Sequence, residues 1–148
     1  MIFPAAIADA KQLSEIAFQS KGFWNYSKHQ LESWREELTI YPSHLENQNG
    51  FVYKIEDKIV GFYILEMKNS STISLEFLFV LPKFIGKGIG KTLLAHAIKK
   101  CKERKALVVS VLSDPNAEIF YSNNGFVTIS KEESSISERF LPLMEHYL

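Results

Sequence analysis

The run Ile85-Gly86-Lys87-Gly88-Ile89-Gly90-Lys91-Thr92 places glycine at alternate positions beside two lysines. Glycine lets a backbone come close to a ligand. A helix that starts in such a run offers unpaired amides and the positive end of its dipole. A phosphate or pyrophosphate is the natural guest; the bland alternative is a glycine-rich turn with no ligand. Two phosphate loops fail on spacing. The mononucleotide loop G-x-x-x-x-G-K-[ST] matches Gly90-Lys91-Thr92, but its first glycine falls on Ile85. The dinucleotide fingerprint G-x-G-x-x-G fails because the spacing here is G-x-G-x-G.

Glu76 is the second candidate. It lies among Leu75, Phe77 and Leu78, where an unpaired buried carboxylate is costly. Such a group either accepts a proton in catalysis or faces solvent, since strand alternation puts Glu76 and Leu78 on one face. The histidines are scattered. Neither His96, on a polar helix face, nor His146 has ligand spacing with another His or Cys, so no metal site is expected. Cys101 falls on an apolar helix face and reads as core rather than nucleophile. No nucleophile elbow is present.

The elements that must position these groups follow from periodicity. Residues 9–20 read as a helix, with Ala10, Leu13, Ile16 and Ala17 at helical spacing and Asp9 as cap. A shorter helix starts at Ser27, which with Gln30 fits a capping box, and carries Leu31, Trp34 and Leu38 on one face. From Gly50 the period changes. Residues 51–55, 59–67 and 73–80 form three strands joined by turns at residues 56–58 and 69–71, an antiparallel meander ended by Pro82. After the glycine run comes a long helix with Ile89, Leu93, Leu94, Ala97, Ile98 and Cys101 on its apolar face. Residues 106–112 form an apolar strand expected to be buried on both faces. Asp114-Pro115-Asn116 opens a short helix through Tyr121, a strand starts at Phe126, and residues 140–148 are extended. The expected fold class is α/β (α+β), a mixed, mostly antiparallel central sheet flanked by helices. One βαβ crossover makes part of it parallel, and residues 1–148 form a single domain.

Two motifs carry a resemblance. Leu78-Phe79-Val80-Leu81-Pro82 followed by Gly86-Lys87-Gly88-Ile89-Gly90-Lys91 resembles the acyl-CoA loop of the GCN5-related N-acetyltransferase (GNAT) family. That loop reads Q/R-x-x-G-x-G/A after a strand ending in V-x-P. Ile85 stands at the Q/R position, a departure that leaves a pyrophosphate to backbone amides, Lys87 and Lys91. Residues 114–121 with Gly125-Phe126 are similar to the family's downstream N-A-x-x-F-Y-x-x-x-G-F. The resemblance covers residues 50–129; residues 20–26 and 135–143 resemble only a small subgroup. It implies acetyl-CoA as donor and a primary amine of a small molecule or peptide as acceptor, with direct transfer in a ternary complex. Leu78, Phe79 and Val80 would line the acyl and pantetheine arm, the exposed amides of Phe79 and Val80 holding the acetyl carbonyl. Gly86, Lys87, Gly88, Ile89, Gly90, Lys91 and Thr92 would cradle the pyrophosphate. Asn116 would bond the pantetheine arm, or merely cap its helix. Tyr121 would protonate the leaving thiolate, and Glu76 would be the general base, directly or through water. Lys21, Trp24 and Tyr26, with Trp34, fall where the family folds over the acceptor, although the two tryptophans equally suit core packing. Ser135 and Arg139 are matched only in the subgroup. A homodimer is compatible with families of this kind.

Composition narrows the classes. The chain has 148 residues, 46% hydrophobic and 23% charged, with 17 basic and 17 acidic residues. That composition is globular rather than disordered. The balance argues against nucleic acid as a partner. One cysteine rules out a disulfide scaffold. No targeting or membrane-spanning segment is legible, so a cytoplasmic protein is expected. The neutrality is a cancellation: residues 83–105 hold eight basic residues and one acid, the remainder nine basic and sixteen acidic. The other readings of the residues are a non-catalytic acyl-CoA-binding module on the same fold and a small nucleotide-phosphate-binding protein.

Overall fold

A computed structural model describes residues 1–133 and 140–148. Among the described residues seven strands follow the sheet order β1-β2-β3-β4-β5-β7-β6, and four α-helices accompany them. In chain order these are β1 (Ile2–Pro4), α1 (Ala10–Gly22), α2 (Lys28–Ser33), β2 (Gly50–Ile55), β3 (Lys58–Met67) and β4 (Thr72–Val80). Then come α3 (Ile89–Glu103), β5 (Val108–Leu112), α4 (Glu118–Ser122), β6 (Val127–Glu133) and β7 (Phe140–Tyr147). The chain divides into two compact units, residues 1–65 with 77–96 and residues 66–76 with 97–148.

In the first unit β1 pairs antiparallel with β2, and β2 with β3. The β2–β3 hairpin turns on Glu56 and Asp57, both at positive φ (50° and 66°), between the paired residues Ile55 and Lys58. Two left-handed residues give the turn the twist that matches its strands. Leu13, Val52, Phe62, Tyr63 and Leu93 are completely shielded from solvent. The helices depart from the sequence pattern in two places. Asp9 does not cap α1; its Oδ2 accepts the Ala6 N–H at 2.8 Å and closes a 3-10 turn at Ile7–Asp9. Ser27 does cap α2, its Oγ accepting the Gln30 N–H at 3.1 Å. That helix ends at Ser33, so Trp34 and Leu38 are buried from the turns beyond it.

In the second unit β4 pairs parallel with β5 from Thr72–Val108 to Ser74–Ser110. Both strands continue, but the ladder stops there, and β5 takes β7 antiparallel on its other side through Leu112. β6 pairs antiparallel with β7. The sequence pattern suggested that β5 is buried on both faces. Instead Val109 and Val111 are buried while Leu112 is 48% exposed, the alternation of a strand with one wet face. Ile73, Leu75, Ala97, Cys101, Phe126 and Met144 are buried. Among the described residues no helix is long and apolar enough to cross a membrane, and no group of three or more His, Cys, Asp or Glu side chains could hold a metal ion.

Candidate active site

The glycine run is a backbone device. After β4 a 3-10 turn at Pro82–Phe84 ends with Ile85 N–H donating to Pro82 C=O at 3.3 Å. The amides of Gly86, Lys87, Gly88, Ile89, Gly90 and Lys91 then find no acceptor among the described residues. Pairing resumes at Thr92, whose N–H (3.0 Å) and Oγ1 (2.9 Å) both donate to Gly88 C=O. Gly86 and Gly88 hold φ of 85° and 82°, and a Cβ on either would meet nothing within 4 Å. Backbone conformation, not a crowding neighbour, requires glycine here, and the space above these amides is open. Successive free amides at a helix start form a concave donor array for an anion. Lys87 Nζ lies 5.5 Å over the Phe84 ring. Thr92, grouped with the cradle from sequence, turns its donors inward, so the array ends at Lys91.

The end of β4 supplies a second backbone edge. Leu81 N–H donates to Val60 C=O at 2.8 Å. Strand alternation therefore turns the polar groups of Phe79 toward β3 as well. The close approach of Phe79 O to Gly61, where a Cβ would stand 3.1 Å from it, agrees. The amides of Leu78 and Val80 face the opposite edge. The sequence motif put Phe79 with Val80 as exposed amides; the pairing with β3 separates them.

Glu76 is half-buried, its side chain 29% exposed. Lys68 Nζ approaches its Oε1 at 3.0 Å and Glu66 Oε2 at 3.2 Å. Oε1 is sealed from solvent, and the lysine neutralises it by charge without the alignment of a hydrogen bond. Burial raises the Glu76 pKa above the ordinary carboxylate value; Glu66 adds to the rise and Lys68 opposes it. Glu76 is thus neither an unpaired core carboxylate nor a fully solvated one. Sequence reading missed Lys68 and Glu66. The signal was present: both share the parity of Glu76, and the turn that closes with Lys68 N–H on Thr72 C=O (2.9 Å) folds them onto the same face.

Asp114 Oδ1 accepts the Asn116 N–H at 2.8 Å and opens the 3-10 turn Pro115–Ala117 that leads into α4. The cap is therefore Asp114, and Asn116 is an exposed residue two positions on, in the middle of the turn. Tyr121 is 6% exposed, with the rings of Phe120 and Phe126 edge-on at 5.1 and 5.4 Å. Burial alone pushes its phenol well above the ordinary value, so it stays protonated. Gly125, at φ 93°, donates space to His146, whose ring a Cβ would meet at 2.8 Å. His146 Nδ1 donates to Gly125 C=O at 2.8 Å.

The N-terminal candidates separate. Tyr26 and Trp34 meet edge-on at 4.8 Å, and the Lys21 ammonium lies over both, 5.6 and 5.1 Å from their centroids. The aromatic wall expected for an acceptor amine is already faced by the chain's own cation. Trp24 pairs instead with Phe23 at 5.1 Å and is 39% exposed, while Trp34 is core. Ser135 and Arg139 lie outside the described residues. His96 does not sit on a plain polar face: its Nδ1 is 2.7 Å from the hydroxyl of the fully buried Tyr63. Cys101 is buried, its thiol pushed up to about 11.

Residues 10–144 match the model of the acetyltransferase (GNAT) domain. A protein described as uncharacterized N-acetyltransferase ycf52, from Gracilaria tenuistipitata var. liui, is 29% identical over 70 residues. That match takes in 47% of this chain and spans 38% of the length of that protein. A GCN5-related N-acetyltransferase from Rhodopseudomonas palustris superposes with a TM-score of 0.81 at 24% identity, over 100% of this chain and 95% of that one. The PaiA N-acetyltransferase of Thermoplasma acidophilum, solved with coenzyme A, gives 0.78 at 25% identity, over 100% and 98%.

Proposed function

Since the chain belongs to the GNAT acetyltransferase family, we propose that residues 1–148 act as one domain moving an acetyl group from acetyl-CoA to a primary amine. The acceptor is a small molecule or a peptide, and transfer is direct. The observation that carries this reading is the array of unpaired amides from Gly86 to Lys91 above two positive-φ glycines. It suits the pyrophosphate of coenzyme A, the cofactor with which a similar protein was solved. With Ile85 in place of a Gln or Arg, backbone amides, Lys87 and Lys91 do the holding. The amides of Val80 and Leu78 hold the acetyl carbonyl and stabilise the oxyanion.

The chemistry balances without a covalent enzyme intermediate. Glu76, or a water it polarises, takes a proton from the acceptor ammonium. The amine nitrogen attacks the thioester carbonyl carbon, forming C–N; the nitrogen then loses its second proton to solvent, and collapse breaks C–S. Tyr121, protonated and with only burial acting on its hydroxyl, donates to the leaving thiolate and is refilled from solvent. Cys101 is no rival nucleophile, because burial holds it as a neutral thiol.

The test is coenzyme A release over a panel of diverse amines for the wild type, Glu76→Gln and Tyr121→Phe. The expected outcome is turnover with some amine, a fall in kcat of about 10²–10⁴-fold in each variant, and unchanged acetyl-CoA binding by calorimetry. Binding without turnover on any amine would favour the acyl-CoA-binding module instead, and tight ATP binding with no response to coenzyme A would remove both.

A further inference from the structure

We propose that Lys68 and Glu66 are positioning residues for Glu76, opposed neighbours on one strand face that set the pH at which this carboxylate becomes a competent base. The inference rests on the reading of Glu76 as general base and goes beyond it, because neither residue belongs to the motifs that suggested that role. Three observations carry it. First, Lys68 bridges the two carboxylates, at 3.0 Å from Glu76 Oε1 and 3.2 Å from Glu66 Oε2. Second, the bridged oxygen of Glu76 is sealed from water and has no aligned donor. The Lys68 ammonium is the charge set against that oxygen, so a change in the lysine is felt there with little relief from water. Third, the Lys68 and Glu66 side chains are 48% and 57% exposed against 29% for Glu76, so they answer to the surface more than it does.

The two neighbours pull in opposite directions. Lys68 favours the ionised Glu76, and Glu66 disfavours it; these are the charged groups acting on Glu76 from the strand and turn beside it. A base must be ionised to accept a proton, yet a strongly stabilised carboxylate is a poor acceptor. Burial already lifts the Glu76 pKa, and the lysine offsets part of that rise. The second carboxylate, competing for the same ammonium, keeps it stronger.

The test is the pH dependence of kcat/KM for acetyl transfer to one fixed amine, so that the acceptor's own titration is common to all variants. Lys68→Met is expected to move the acidic limb to higher pH, and Glu66→Gln to lower pH, each by roughly half a unit or more. Lys68→Arg, which keeps the charge, is expected to leave the limb near its wild-type position. A purely structural role would scale the whole profile without moving the limb. Limbs that stay fixed, or move the same way in both variants, overturn the proposal while Glu76→Gln is still inactive and the base reading still stands. Full activity in Glu76→Gln overturns the base reading itself, and this inference with it. Acetyl-CoA binding by calorimetry confirms that each variant is folded.

Discussion

Tyr121 joins two properties that the sequence shows only in part. Its place in an F-Y-x-x-x-G-F run suggested a proton donor, and the structure adds that its ring is wedged between Phe120 and Phe126. Burial raises its pKa, so the phenol keeps its proton beyond the ordinary value of about 10. The sign follows: an acid is lost when pH passes its pKa, and here that point moves upward. The expected outcome is therefore a kcat that shows no alkaline decline due to Tyr121 up to about pH 10. A falling limb below that pH, abolished in Tyr121→Phe, would contradict the placement. Glu76 was legible because a carboxylate in an apolar strand needs a reason. Lys68 and Glu66 were not, because their meaning depends on which residues a turn brings opposite, and that is a property of pairing rather than of type. Asp and Asn both suit a cap, so sequence does not choose between Asp114 and Asn116; geometry gives the place to Asp114.

At the scale of elements, the loop that opens α3 is the part the sequence specified best. Alternating glycines imply positive φ, and two of them have it. An L residue in the left-handed region costs about 1–2 kcal/mol. Gly88→Ala adds no clash, since nothing lies within 4 Å of the new methyl. The expected outcome is a modest loss of stability, of about that size, joined to at least a tenfold weaker acetyl-CoA affinity (about 1.4 kcal/mol) as the amide array distorts. Thermal unfolding and calorimetry on the same sample separate the two effects. Affinity lost only in proportion to stability would argue against the cradle. The meander, the long helix and the crossover were also legible, because period two and period 3.6 differ over such lengths. The second helix is shorter than its apolar spacing suggests. Trp34 and Leu38 keep helical spacing, but their burial comes from turns beyond Ser33. The wet face of β5 was missed because a run of apolar residues says nothing of what covers each side.

For the molecule as a whole, net charge is the least informative number. Seventeen basic and seventeen acidic residues cancel, yet residues 83–105 carry eight of the former and one of the latter. Lys83, Lys87 and Lys91 flank or enter the loop and are exposed, and coenzyme A is a polyanion. Salt screens such attraction over about 8–10 Å at physiological ionic strength. The expected outcome is a KM for acetyl-CoA that rises with added salt while kcat holds, with a shallower slope in Lys87→Ala. A KM indifferent to salt would assign the holding to backbone amides alone. The cancellation could be counted from the sequence. The proposal for what it serves needs the exposed lysines placed beside the unpaired donors.

Those donors also give the protein a built-in gauge. An amide with no acceptor and an open approach trades its hydrogen for deuterium almost as fast as an unstructured chain does. The stretch from Gly86 to Lys91 is such a segment, set between a paired strand end and a paired helix. In heavy water it should label at once in the free protein and slow sharply when an anion fills it. Mass spectrometry of one short peptide would then report occupancy with no acceptor amine present and no turnover required.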